Sequence, residues 1–220
     1  MLVKYLSKPF SNSLKVFSLS RHQRYNIGYS VGNPYHEPLR VSTIDLYREF
    51  TEKNPSAVAL NSYSQNTTFT YEQLYSKAEE LATGLIKNFN LKPKDRIGIY
   101  AYNKFEWVVV QLASAMADLI LVNINPAYQS DELAYTIEKV GLSVLFLNDK
   151  FRHLDYIKIV RAVVPEVETN NPYDIRSKRF PTLKGIVRMN SDDSYIKGFV
   201  NYTDLSEPVQ RALLPGKIHF

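Results

Sequence analysis

The sequence contains no cysteine. That excludes a disulfide scaffold, a thiolate metal site and a cysteine nucleophile. Histidine is scarce: His22, His36, His153 and His219 are the only four, and none has a partner at metal-ligand spacing. No metal site is expected. The eight glycines are dispersed, and no two form Gly-x-Gly. A glycine-rich phosphate cradle is therefore absent from the sequence. No apolar run approaches the length of a membrane span, so no transmembrane segment is expected.

Acidic residues are also missing from one region, everything before Glu37. Lys4, Lys8, Lys15, Arg21 and Arg24 all lie in that region, and the whole chain carries a net charge of +5. The remainder is near neutral, which removes the case for a nucleic-acid partner. Residues 1–30 are rich in serine. On a helical wheel Leu2, Leu6, Phe10, Leu14 and Phe17 share one side, with Lys4, Lys8 and Lys15 opposite. A basic amphipathic helix without acids is the pattern of a mitochondrial transit leader, although Pro9 would kink it. The expected destination is the mitochondrial matrix.

What is present is a core. Hydrophobic residues make up 45% of the 220, enough for a sizeable domain. The spacing predicts a helix over 43–53, stopped at Asn54-Pro55. Short strands over 57–63 and 69–70 flank a polar turn at 64–67. Thr70 and Gln73 form a capping box for a helix with Leu74, Ala78, Leu81, Ala82, Leu85, Ile86 and Phe89 on its apolar face. Strands then alternate with helices. Strands are expected at 96–100, 119–124, 143–147 and 183–189. Helices are expected at 105–117, at 130–140 capped by Ser130 and closed by Gly141, and at 151–164 stopped by Pro165.

That alternation predicts an α/β fold, a parallel sheet with helices on both faces. Such sheets bind ligands at the carboxyl ends of their strands. Here those ends are Tyr102-Asn103, 125–128 and Asn148-Asp149. Asn103, Asn125 and Tyr128 are the substrate-crevice candidates. Turn and cap chemistry is the competing role for them. Trp107 lies on an apolar helix and reads as core, and His153 reads as exposed at the start of a helix.

The residues now on the page carry a resemblance. Phe69-Thr70-Tyr71-Glu72-Gln73-Leu74 resembles an opening motif of adenylate-forming enzymes. Asp95-Arg96-Ile97-Gly98-Ile99 resembles the strand that follows it. Leu121 through Asn125-Pro126-Ala127-Tyr128 resembles the family's second core motif. With Trp107-Val108, Gln111-Leu112-Ala113 and Glu132-Leu133, the pattern is similar to the mitochondrial medium-chain branch of the AMP-forming acyl-CoA synthetases. The resemblance covers residues 39–205, the N-terminal part of an AMP-binding (adenylation) domain. Residues 206–220 form a divergent tail. Asp118 departs from the glycine common at its position; a left-handed backbone is expected there, which Asp tolerates.

The resemblance implies a two-step reaction. A fatty carboxylate attacks the α-phosphate of ATP, releasing pyrophosphate; the thiol of CoA then displaces AMP. Fatty acid and CoA are the implied substrates, with ATP and Mg the implied cofactors of the full-length enzyme. Such chemistry needs backbone N–H groups, Mg²⁺ and cations around the phosphates. The family's Ser/Thr/Gly-rich loop ending in Pro-Lys-Gly has no counterpart here, nor have its later acidic and lysine motifs. No catalytic or cofactor-binding residue is therefore assigned, and this chain alone is expected to be catalytically incomplete. The alternative is a short non-catalytic binding module that pairs with a full-length ligase partner.

Overall fold

The computed structural model describes residues 41–189, 194–210 and 213–214. The transit-like leader at 1–30 lies outside the described residues. Helix α1 (Thr43–Lys53) starts on Ser42, whose hydroxyl accepts the Asp45 N–H. Strands β1 (Val58–Ser62) and β2 (Thr67–Thr70) pair antiparallel. A 3-10 turn at Tyr63–Gln65 joins them, closed by Asn66 in the left-handed region at φ 47°. Asparagine is among the few residues that take this conformation cheaply. Helix α2 (Tyr71–Phe89) begins on the expected capping box: Gln73 N–H donates to Thr70 Oγ1 at 3.3 Å, and Thr70 N–H to Gln73 Oε1 at 2.9 Å.

Next come β3 (Arg96–Tyr100), α3 (Phe105–Met116), β4 (Ile120–Asn123), α4 (Ser130–Val140) and β5 (Val144–Leu147). A small antiparallel hairpin, β6 (Lys150–Phe151) and β7 (Leu154–Asp155), precedes α5 (Tyr156–Val163). Strands β8 (Gly185–Arg188) and β9 (Val200–Asn201) complete a five-stranded sheet. Its order is β4-β3-β5-β8-β9, and every neighbouring pair is parallel.

Successive side chains of a strand point to opposite faces, and here both faces are apolar. Ile97, Ile99, Val144, Phe146 and Val187 join a core with α1, α2 and α3. Tyr100, Leu145, Leu147 and Ile186 join a second core with α4 and α5. The sheet is thus covered on both sides, as the continuous apolar strands imply. Each fully buried leucine or isoleucine in these layers contributes about 1.5–3 kcal/mol by leaving water.

Several boundaries differ from the sequence reading, each for a physical reason. The stretch at 151–164 is not one helix. Phe151 and Leu154 face each other across the β6–β7 hairpin, Arg152 takes φ 54°, and α5 starts only where the Asp155 carboxylate accepts the Lys158 N–H at 3.0 Å. His153 therefore lies in a turn, and it is exposed. The cap of α4 is Gln129 rather than Ser130: the Glu132 carboxylate takes the Gln129 N–H at 3.0 Å, so the helix begins one residue earlier in its cap. Strand β4 is a short edge strand with Ile120 exposed, not a fully covered one. Asp118 does hold a left-handed backbone, at φ 54°. No described helix is long and apolar enough to cross a membrane.

Candidate functional site: a crevice at the carboxyl ends of the strands

Because the strands are parallel, the ends of β3, β4 and β5 open on one edge of the sheet. A crevice of about 610 Å³ lies there. One wall is the segment after β3, with Ala101, Tyr102 and Asn103, backed by Trp107 of α3; the other is the segment after β4, with Ile124, Asn125 and Pro126. Phe151 of the β6–β7 hairpin joins the Tyr102 side, its ring stacked on Tyr102 at 3.7 Å between centroids. The Arg152 guanidinium lies 5.4 Å from the Phe151 centroid. The size is that of a small-molecule pocket. Its walls are aromatic and aliphatic, the amides of Asn103, Asn123 and Asn125 are among its polar groups, and no described lining residue is charged.

Asn103 and Asn125 thus come together at the crevice, both exposed. Asn125 also does turn work: its Oδ1 accepts the Ala127 N–H at 3.0 Å. Tyr128 does not line the crevice. Its ring packs against the core on the α4–α5 side, and its N–H donates to the Asn125 carbonyl at 3.1 Å. Trp107 is not simply core. It is half-buried, touching the α2–α3 core and lining the crevice as well.

Beneath the loop between β4 and α4 stand two fully buried tyrosines. Tyr100 ends β3 and Tyr156 begins α5; their rings meet edge to face at 4.6 Å. The Tyr100 hydroxyl donates to the Tyr128 carbonyl, and the Tyr156 hydroxyl donates to the Pro126 carbonyl at 2.9 Å. Burial pushes the Tyr100 phenol up to about 12, reinforced by Glu132 and Tyr102. Burial, then Tyr102 and Tyr100, raises Tyr156 as well. Both remain protonated donors throughout the physiological range.

Two polar assemblies stand near the ends of β8 and β3, and sequence reasoning paired the residues of neither. At the end of β8, Arg188 is wholly buried and holds the Asp149 carboxylate with two guanidinium nitrogens; Nη1 also donates to Asn201 Oδ1 at 2.9 Å and to the Ser194 carbonyl. Such a fork against a carboxylate fixes geometry as well as charge. It ties β5, β8 and β9 together beyond their ladder. At the start of α3, Lys104 Nζ donates to the Met189 carbonyl and stands 3.6 Å from buried Glu106. Glu106 accepts from Gln65 Nε2 at 2.9 Å, and Gln65 Oε1 accepts the Phe105 N–H at 2.7 Å. An acid in the first turn of a helix is electrostatically favoured. The only sequence signal for these groups was a charge beside an apolar segment.

Comparison with known proteins agrees with this geometry. The model of the AMP-binding enzyme family matches residues 47–194. The chain is 35% identical over 147 residues to the mitochondrial medium-chain acyl-CoA ligase ACSF2 of Bos taurus, covering 67% of this chain and 23% of that one. It is 34% identical over 155 residues to the Danio rerio protein of the same name, covering 70% and 25%. The chain therefore spans about a quarter of the length of the curated relatives it matches. Among solved structures, the anthranilate CoA ligase AuaEII in complex with anthranoyl-AMP superposes with a TM-score of 0.63 at 16% identity, covering 79% of this chain and 30% of that one. Coronafacic acid ligase from Pectobacterium brasiliense superposes at 0.58 with 18% identity, covering 76% and 30%. Those two show a shared fold. The family match over residues 47–194, on a parallel sheet of this topology, establishes that the chain belongs to the AMP-binding enzyme family, that of the acyl-CoA ligases.

Proposed function

We propose that this chain is the N-terminal portion of a mitochondrial fatty acid–CoA ligase acting in the matrix, and that these 220 residues do not adenylate fatty acids by themselves. The single observation that carries the ligase reading is the family match over residues 47–194. The similarity to mitochondrial medium-chain ligases and the basic leader support the location.

The incompleteness follows from what adenylation requires. A carboxylate is a weak nucleophile, and departing pyrophosphate carries concentrated charge. The site must present cations and backbone donors to that charge. The lining of the crevice supports this reading: its described side chains are aromatic, aliphatic or amide, and none is charged. Arg188, the buried cation at the end of β8, is committed to Asp149. The residues of this crevice do not fit a triphosphate with Mg²⁺. They fit a neutral or apolar part of a ligand, and Asn103 and Asn125 are its polar contacts in this reading. Tyr128 acts only through the loop that contains it.

The test is pyrophosphate exchange by the purified chain with ATP, Mg²⁺ and octanoate. The expected result is exchange equal to a heat-killed control. Exchange above that control, lost on removing octanoate, would refute the claim of incompleteness.

A further inference from the structure

The crevice depends on a loop that supplies no regular hydrogen-bond ladder. Residues 124–129 connect edge strand β4 to α4, and only Ile124 of this loop donates to a neighbouring strand, at the Ile99 carbonyl. Its apolar anchor is also limited: Ile124 is buried, whereas Asn125 and Ala127 are exposed. Yet its conformation sets one whole wall, through Ile124, Asn125 and Pro126. What holds it from below are two phenol hydroxyls from elsewhere in the fold, Tyr156 on the Pro126 carbonyl and Tyr100 on the Tyr128 carbonyl.

Phenylalanine would fill both fully buried positions equally well as a ring. Tyrosine there adds a buried oxygen, which is unfavourable unless bonded. Both oxygens are bonded, and to alternate carbonyls of the same short loop. The two rings brace each other edge to face, so neither hydroxyl can swing away alone. Tyr100 comes from the strand beside β4, and Tyr156 from the helix that follows the β6–β7 hairpin carrying Phe151. Tyr156 also donates its backbone N–H to the Asp149 carbonyl at 2.9 Å. The pair therefore couples the position of the Pro126 wall to the hairpin whose Phe151 forms the opposite wall.

We infer that Tyr100 and Tyr156 are positioning residues: their hydroxyls fix the carbonyls of Pro126 and Tyr128 and so set the width of the crevice between Pro126 and Trp107. This rests on the reading of the crevice as the ligand-facing edge, but its test needs no ligand. Neither tyrosine lines the crevice, so neither is a contact residue. They act through the loop.

The experiment is hydrogen exchange on the intact chain and on Tyr100→Phe, Tyr156→Phe and the control Tyr75→Phe, which loses a hydroxyl bonded to Arg48 between α1 and α2. The amides of Ala127 and Tyr128 are bonded only within the loop, to Asn125. Losing one hydroxyl contact should raise the population of the detached loop, and hence exchange at these amides, about fivefold. The amide of Phe146 in central strand β5 should not change. Trp107, the one tryptophan of the chain, should become more accessible to acrylamide in both loop variants and not in Tyr75→Phe. Equal acceleration at Phe146 and at the loop would mean a general loss of stability, and would overturn the inference. So would unprotected Ala127 and Tyr128 amides in the unmutated chain, a result that needs no variant to fold. Failure on these measurements leaves the ligase reading standing. Exchange of pyrophosphate by the chain would instead strike the claim of incompleteness and leave the loop result untouched.

Discussion

Replacing Gly84 by alanine should destabilise this chain, although helix propensity predicts the reverse. Gly84 lies in the interior of α2, where alanine is favoured over glycine by about 1 kcal/mol. The structure removes that gain. A Cβ on Gly84 would stand 1.9 Å from the carbonyl oxygen of Leu205 and 2.9 Å from its carbonyl carbon. Real Cβ atoms essentially never come closer than 3.0 Å, so the two must separate by 3.0 − 1.9 = 1.1 Å. The obstacle is backbone, not a side chain that can rotate. Leu205 is fully buried and ends the 3-10 turn Tyr202–Leu205 that follows β9. Forcing that buried backbone outward is overpacking toward the upper end of the usual range, at about 2–3 kcal/mol. The net loss is about 1–2 kcal/mol after the propensity gain of about 1. For a domain of this size that lowers the melting temperature by about 2–8 °C. Thermal unfolding followed by circular dichroism, with urea midpoints as a second measure, reads it directly. An alanine variant as stable as the parent, or more so, would show that the close approach of α2 to the Leu205 turn is wrong.

Other consequences follow from the buried polar groups. Arg188→Met leaves the Asp149 carboxylate without its fork, and loss of one partner from a buried pair costs about 3–5 kcal/mol; urea midpoints should fall accordingly, and a shift near zero would contradict the pair's structural role. The raised phenols give a pH dependence. In an unfolded chain a tyrosine ionises near 10, whereas burial holds Tyr100 and Tyr47 protonated up to about 12. Their contribution is complete below pH 10 and is lost as the pH rises through about 12, so the fold should weaken across that window. Absorbance at the phenolate band, recorded alongside circular dichroism, should show exposed tyrosines titrating first and a late group appearing with unfolding. All tyrosines ionising together near 10 in a folded chain would contradict it.

The sequence carried the architecture well where apolar periodicity and local caps agree. The α2 capping box, the left-handed Asp118 and the Gly141 stop all rest on interactions within a few residues. The segment at 151–164 was illegible for a definite reason. Phe151 and Leu154 are three apart, a spacing that suits a helix face and a tight hairpin alike. What decided the hairpin was Arg152 in the left-handed region and Asp155 acting as the true helix cap. At the crevice, the strand-end rule located Asn103 and Asn125. It could not exclude Tyr128, because nothing local says that its ring turns into the core. Trp107 reads as core from its apolar helix, and it does pack against that core while also lining the crevice. The Arg188–Asp149 fork joins residues 39 apart, and the Gln65–Glu106 bond joins residues 41 apart. Such long-range pairs leave no periodic trace in a sequence.

In the proposed reading these residues form the N-terminal portion of a mitochondrial ligase. An immunoblot of isolated mitochondria, with an antibody raised to residues 60–200, tests it most directly. The expected result is a mitochondrial band well above the 25.4 kDa of this chain. A band at or slightly below 25.4 kDa would contradict it, and would favour a self-standing short protein.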